Sequence, residues 1–394
     1  MDLEQFAGSP NGTLIPISGT DPRVGEWRHF AFLPEDLPVE PLQLKPETQL
    51  QVTNARVALA ALDRASPQLP NPQLLRGPTL RREAQSTSAL EGTYAALEEV
   101  FATDEKIEPS DQNLKEVMNY VRAANGGYRV ITEGRTLSLD LLENLQAQLV
   151  RGTRADNLHG GKIRDIQVII GTHPGAKVQD ARFIPPPPGL PLTIQVRSLL
   201  AWMQDEGRKN IDPVVAAAMA HYQFETLHPF NDGNGRIGRL LIVLQLMLQK
   251  VIREPMISVS PWFEARRANY YDLLLGVSTH GDWDNWINFF ARGIEVSAKE
   301  ADSRLTDLIA TRVALRQKLA DAKLRSVTAM ELVDFALGEL VFSASEVQEH
   351  LGVTYGRANK LVSQLTSLGI LRQLERKSRP RYFTAPDVFA IYSR

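Results

Sequence analysis

Eight residues, His228 to Gly235 (HPFNDGNG), separate two apolar stretches of helical periodicity, Pro213–Leu227 and Arg236–Gln249. No buried helix can run through them. Pro229 stops the first stretch near Leu227. Gly233 and Gly235 free the backbone from the limits a Cβ imposes, and Asn234 tolerates unusual backbone angles. The chain has to form a helical hairpin here, with a polar loop that ends at the start of a core helix.

A helix start presents unpaired N–H groups and the positive end of the dipole, so it attracts anions. Arg236 and Arg239 are three apart and project from one face beside that start. Guanidinium groups match phosphate oxygens in pairs. Asp232 stands among these groups, although a phosphate would repel it. A divalent cation between the two resolves the conflict, because Mg2+ takes one or two carboxylates plus phosphate oxygens. His228 is the one side chain of the loop that is readily a base near neutral pH. The set points to phosphoryl or nucleotidyl transfer. Any one of these residues alone would favour a plainer reading, a glycine-rich turn with an incidental histidine; the combination argues for a site.

A length of 394 residues suggests about two or three domains. The net charge of -2 predicts no general attraction to nucleic acid or anionic membrane. Absence of cysteine excludes disulfides and thiolate chemistry. The start MDLEQFAGSP has no basic-then-apolar pattern. The run Leu240–Leu248 is too short for a membrane span. A cytoplasmic protein without a membrane partner is expected.

Residues 1 to about 45, rich in Pro and Gly, read as an extended arm. Helices are expected over Val52–Ala65, Thr79–Ala102 with Gly92 inside it, Asn113–Ala124 and Ser138–Val150. A β-hairpin follows, with strands Ile163–Ile170 and Arg182–Ile184 around a turn holding His173, Pro174 and Gly175 and ending in Pro185–Pro188. Helices resume over Leu192–Asp205, Pro213–Leu227, Arg236–Gln249, Phe263–Gly276 and Trp283–Lys299, with a connecting helix over Glu300–Leu332. The tail reads as helix, turn, helix and strand pair, a winged-helix plan with Thr354 as N-cap. The fold class is mainly α with a small β-hairpin flap. The expected units are 1–110, 111–299, 300–335 and 336–394.

The stretch HPFNDGNGRIGR resembles the signature of the Fic family, H-P-F-x-[D/E]-G-N-G-R-x-x-R, at every defined position. The likeness extends upstream through HYQFETL, GKIRDIQVIIG and FIPPPP and downstream to ANYYDLLL, roughly Leu69 to Ala298. It implies a protein adenylyltransferase that moves AMP from ATP, with Mg2+, to a hydroxyl of a protein target or of the chain itself. His228 is then the general base and Asp232 the Mg2+ ligand. Asn231, Asp232, Gly233, Asn234, Gly235, Arg236 and Arg239 form the nucleotide-binding run, with Arg239 for the γ-phosphate and Phe230 as the core anchor of the loop. Tyr270 and Tyr271 look like tyrosines that approach the nucleotide, with core packing as the alternative. Val168, Ile169, Ile170 and Gly171 belong to a flap whose strand edge can pair with an extended target segment.

STSALEG, upstream, fits the inhibitory pattern [S/T]-x-x-x-E-[G/N] of similar proteins. It implies that Thr87, Glu91 and Gly92 form an inhibitory element in which Glu91 pairs with Arg239. The same fold transferring UMP or phosphate, or removing AMP, is an alternative, as is a DNA-binding regulator. From Val341 onward the tail is more basic than the chain as a whole, and RKSRPR reads either as a wing on phosphate backbone or as part of a protein or dimer contact. His221 and Glu225, four apart, lack a third metal ligand and read as packing residues.

Overall fold

The apolar helical periodicity that dominates the sequence is realised as fifteen α-helices among the described residues. The computed structural model describes residues 1–22, 25–66, 73–103, 108–171, 173, 175–205, 210–324, 326–374 and 381–392.

The N-terminal stretch is not an extended arm. It forms a ten-residue antiparallel hairpin, β1 (Gly12–Asp21) with β2 (Gly25–Pro34), in which Gly12 faces Pro34 and Asp21 faces Gly25. Pro16 and Gly19 disguise it, since both are poor strand residues. Packing supplies what propensity lacks. Phe6 and Phe32 meet Phe183 in a small separate core, and the Phe32 N–H donates to the Ile184 carbonyl.

Helix α1 (Pro46–Ala65) opens with proline in its first turn, where no donor is lost. The expected helix Thr79–Ala102 is two: α2 (Gln73–Leu90) and α3 (Leu97–Phe101). Gly92 is not inside a helix. Its φ of +89 and the open space around it show that it ends α2 rather than admitting a close neighbour. Helices α4 (Gln112–Thr132) and α5 (Leu139–Val150) are N-capped by the side chains of Asp111 and Ser138.

The flap is shorter than its sequence suggests. Only β3 (Ile170–Gly171) and β4 (Ala181–Phe183) pair, with a bulge between Ile170 and Gly171. Val168 and Ile169 precede the paired segment. The turn's Pro174 lies outside the described residues.

Helix α6 (Leu190–Gln204) leads to the central hairpin, α7 (Pro213–Leu227) and α8 (Asn234–Leu248), both buried almost throughout. The expected Phe263–Gly276 helix is broken into α9 (Ser260–Glu264) and α10 (Arg267–His280). The two helices expected over 283–299 and 300–332 are instead α11 (Trp283–Asp321), one helix of 39 residues, and α12 (Val327–Gly338). Next come β5 (Phe342–Ser343), α13 (Ala344–Leu351), α14 (Tyr355–Ser367), β6 (Arg372–Gln373), β7 (Tyr382–Thr384) and α15 (Pro386–Tyr392). The three strands form one sheet in the order β5-β7-β6, and Thr354 caps α14 as expected. Most of the RKSRPR segment lies outside the described residues.

One continuous hydrophobic core runs from Leu37 to Tyr392. It is built around α7 and α8, with α4, α5, α6 and α11 packed on them and α1 along α11. The helix α2 contacts α4, α8, α9 and α12. Among the described residues no helix is long and apolar enough to cross a membrane.

Candidate active site

The loop between α7 and α8 turns at two left-handed residues. His228 closes α7 with φ 47 and ψ 59, and Gly233 opens α8 with φ 80. Asn234 is not one of the unusual backbone positions; it is the first helical residue. Its buried amide staples the loop instead, accepting from the Phe230 N–H at 2.8 Å and donating to the Phe230 carbonyl at 2.7 Å. The Phe230 ring is fully buried and anchors the loop.

The glycines have separable reasons. A Cβ at Gly233 would meet Leu149 of α5, besides the strain of its positive φ. A Cβ at Gly235 would collide with Glu91 Oε1 and lie 3.0 Å from the Arg239 guanidinium nitrogens. The bare backbone at Gly235 therefore leaves room for the Glu91 carboxylate, which packs against the start of α8.

Glu91 Oε1 accepts from Arg239 Nη2 at 2.5 Å. Arg239 is 1% exposed, and Thr87 holds it through Nε to Oγ1 at 2.7 Å and Nη2 to the carbonyl at 3.1 Å. The side chain of Glu91 is a third exposed, so the carboxylate stands at the mouth and the guanidinium within. Burial pushes the Glu91 carboxyl up, but Arg239, then Arg236 and His228, outweigh it and hold the group below its usual range.

Arg236 is also buried. It bonds Asp232 Oδ1 at 2.5 Å and Glu116 Oε2 at 3.4 Å. Thr93, just beyond Glu91, donates to the same Glu116 oxygen at 2.7 Å. Asp232 is about half exposed, and Gln146 of α5 holds its carbonyl at 3.0 Å. Asn231 carries a buried Oδ1 without a partner. Among the described residues no three His, Asp or Glu side chains converge as a metal cage. One half-exposed carboxylate beside the start of α8 suits Mg2+ that arrives with phosphate oxygens, and Asp232 is the residue that would hold it.

His228 Nδ1 faces the Glu225 carbonyl at 3.3 Å. A carbonyl only accepts, so this contact places the proton on Nδ1 and leaves Nε2 as the basic nitrogen. Burial, followed by the nearby Arg164 cation, pulls its pKa down to about 4. The imidazole is therefore neutral near pH 7. The Glu225 carboxyl lies buried behind it, pushed up to about 8 by burial. Gly238 makes room for that carboxyl: a Cβ there would collide with Glu225 Oε1.

The structure thus brings together His228, Asp232, Gly233, Gly235, Arg236, Arg239, Thr87 and Glu91. Tyr270 is fully buried, its hydroxyl 2.7 Å from His221 Nε2 and its ring stacked on Phe263 at 4.7 Å. It backs the site from the core, the alternative noted from sequence. Tyr271 is half-buried beside it, ring centroids 5.0 Å apart. Ile169 and Ile170 of the flap pack on the small core beneath the N-terminal hairpin. Sequence reasoning missed Arg164, Glu116 and Gln146. Each is a lone polar residue in a helix or presumed strand, and only the tertiary fold gives them partners at the loop.

A helical bundle with a histidine and two buried arginines beside a glycine-bearing helix start has the chemistry to hold an anion. Comparison with known proteins makes this specific. Residues 49–129 match the model described as Fic/DOC family N-terminal, and residues 136–246 match that of the Fic/DOC family. Over these two segments the chain resembles the Fic/DOC family and is distantly similar to Fic protein adenylyltransferases. It is 34% identical over 143 residues to protein adenylyltransferase fic-1 of Caenorhabditis elegans, covering 36% of this chain and 25% of that one. It is 32% identical over 210 residues to protein adenylyltransferase Fic of Culex quinquefasciatus, covering 52% and 37%. The chain thus spans well under half the length of these curated relatives. A Fic family protein of Desulfovibrio desulfuricans G20 shares the fold, with a TM-score of 0.56 at 20% identity over 88% of this chain and 97% of that one.

Proposed function

We propose that this chain transfers AMP from ATP to a hydroxyl side chain of a protein and that Glu91 restrains it. The observation that carries the reading is the seat of Glu91: an anion made by the chain itself rests at the start of α8, on Arg239, beside a neutral imidazole. In this reading the triphosphate takes the place of the carboxylate. Arg239 holds the γ-phosphate, and Arg236 and the N–H groups at Gly233 to Gly235 hold the others. Nε2 of His228 accepts the proton of the target hydroxyl as its oxygen bonds the α-phosphorus. The bond from that phosphorus to the bridging oxygen breaks, and pyrophosphate leaves. Mg2+, when bound, neutralises phosphate charge; Asp232 would hold it.

While Glu91 occupies Arg239, ATP can bind only with its γ-phosphate displaced, and a 1 Å error of alignment costs about a hundredfold in rate. Glu91→Gly should therefore raise incorporation of label from [α-32P]ATP into protein, and adding His228→Ala should abolish it. No incorporation by Glu91→Gly, with UTP giving label instead, would replace AMP by UMP as the group moved.

We read the C-terminal elements α12 to β7 as a winged helix used in protein contact. Asn359, the residue of α14 best suited to read bases, is engaged as the acceptor of an Arg381 bond at 3.3 Å. Anisotropy with random duplex DNA across a salt series tests this. A steep salt slope would move the tail to nucleic acid.

A further inference from the structure

Arg164 is a buried cation that the reaction outlined above does not use. Its side chain is 1% exposed. No carboxylate among the described residues pairs with it; all its partners are carbonyl oxygens. Nε donates to the His228 carbonyl at 2.8 Å, Nη2 to the Leu227 carbonyl at 3.4 Å and to the Pro186 carbonyl, and Nη1 to the Ile166 carbonyl at 3.2 Å. The backbone N–H of Arg164 donates to the Pro229 carbonyl at 2.9 Å. Burying a charge without a counter-charge is costly, and burial drags this guanidinium's pKa down to about 10. Two of the four guanidinium bonds fall on the consecutive carbonyls of Leu227 and His228, and the Arg164 backbone N–H adds that of Pro229.

Those carbonyls flank a residue in a conformation it does not favour. A non-glycine residue in the left-handed region is strained and persists only where neighbours over-determine it. At His228 this turn takes the chain out of α7 and sets the direction of the imidazole. The fork of a guanidinium fits the task, since its donors diverge in one rigid plane. Nη2 also reaches Pro186, after β4, and Nη1 reaches Ile166, before β3, so the base and the root of the flap hang on the same group.

We propose that Arg164 is the positioning residue of the general base, holding the His228 backbone in its left-handed turn and tying it to the flap. The inference rests on His228 acting as base in the transfer reaction. A second consequence follows from charge. The groups acting on the imidazole are Arg164, which disfavours its protonation, and Glu91, which favours it, while the Glu225 carbonyl accepts from Nδ1. Removing Arg164 should therefore move the imidazole back toward its ordinary pKa.

The test uses Arg164→Gln and Arg164→Lys in the full chain carrying Glu91→Gly. Three quantities are measured: kcat and KM with labelled ATP, ATP–Mg2+ affinity by calorimetry, and the His228 titration by NMR of the 13C-histidine-labelled chain, assigned with His228→Ala. For Arg164→Gln we expect kcat down about a hundredfold, ATP affinity within about threefold, and the His228 midpoint raised above that of the parent, with burial still holding it below that of an exposed imidazole. Arg164→Lys keeps the charge but cannot span the carbonyls, so kcat falls and the midpoint stays low. A kcat within about threefold of the parent in either folded variant overturns the proposal. So does a loss of ATP affinity that matches the loss of kcat, which marks mere collapse of the loop. Should the Glu91→Gly parent transfer nothing, the transfer reading fails on its own. The titration then decides for Arg164, and an unmoved midpoint in Arg164→Gln rejects it.

Discussion

His228 feels opposing influences. Burial and Arg164 oppose its protonation, while Glu91 and the Glu225 carbonyl favour it, and the balance sets its pKa near 4. The imidazole is protonated below that value and free above it. Transfer by the Glu91→Gly variant should hence stay level through neutral pH and fall only as pH drops toward 4. Deleting Glu91 removes a carboxylate that favours protonation, so the acid limb cannot shift upward. A pH profile of kcat/KM whose limb lies between 6 and 7 would contradict this. Glu225 makes the complementary case. Its carboxyl, one buried oxygen of which has no partner, is raised to about 8, first by burial and further by Glu91, against the pull of Arg239. Unfolded, it titrates near 4.3. Between these values the folded chain holds a proton that the unfolded chain lacks, so the stability contributed at low pH is lost as pH rises through 8. Glu225→Gln should be more stable than the parent at pH 8, on the order of 1–3 kcal/mol, and nearly equal at pH 5. Denaturant midpoints at the two pH values check it, and a difference that does not grow with pH refutes it.

At the scale of elements, α2 decides whether Glu91 stays on Arg239. Its last two turns bury Glu83, Ser86, Thr87 and Ser88, small or polar groups that give no apolar stripe. Glu83 is the anchor: it accepts from Ser258 Oγ at 2.8 Å, from the Ser260 N–H at 2.9 Å and from Ser260 Oγ. Glu83→Gln places an amide where these donors need an acceptor. Loosening α2 by about 1.4 kcal/mol would release Glu91 about tenfold more often. Basal transfer by the Glu91 chain should therefore rise by about that factor, whereas in the Glu91→Gly chain the same change should add nothing. Additive gains in the two backgrounds would separate Glu83 from inhibition. The same helix shows where sequence was legible. Helices α7 and α8, stamped by apolar runs and bounded by Pro229 and Gly233, are readable almost residue for residue, and so is the position of the loop between them. Helix α2 was readable only as a motif. Its end at Gly92 depends on a positive φ that a propensity reading takes for a flaw inside a longer helix. The N-terminal hairpin escaped for a related reason: Pro16 and Gly19 argue against strands, and its partners Phe183 and Ile184 lie far along the chain.

Across the whole molecule, the C-terminal elements share a core with α2, the helix that ends just before Glu91. Gly77 of α2 faces the Gly338 carbonyl at the end of α12. Arg82 Nη1 donates to the Tyr392 carbonyl of α15 at 2.9 Å. Phe101 of α3 meets Phe389 and Tyr392 edge-on, with centroids 6.0 and 6.3 Å apart. The contacts of Gly77 and Arg82 lie in the first half and middle of α2 and that of Phe101 on α3, which packs against α2; a helix is stiff over such a length and passes a loss of support to its end. Phe389→Ala removes one aromatic contact and part of its burial, about 1–3 kcal/mol. If the C-terminal unit steadies α2, amide exchange over residues 83–90 should quicken together with that of α15, and basal transfer should rise in the Glu91 chain but not in Glu91→Gly. If exchange quickens in α15 alone, the tail is merely attached to the core, and the restraint on Arg239 is complete without it.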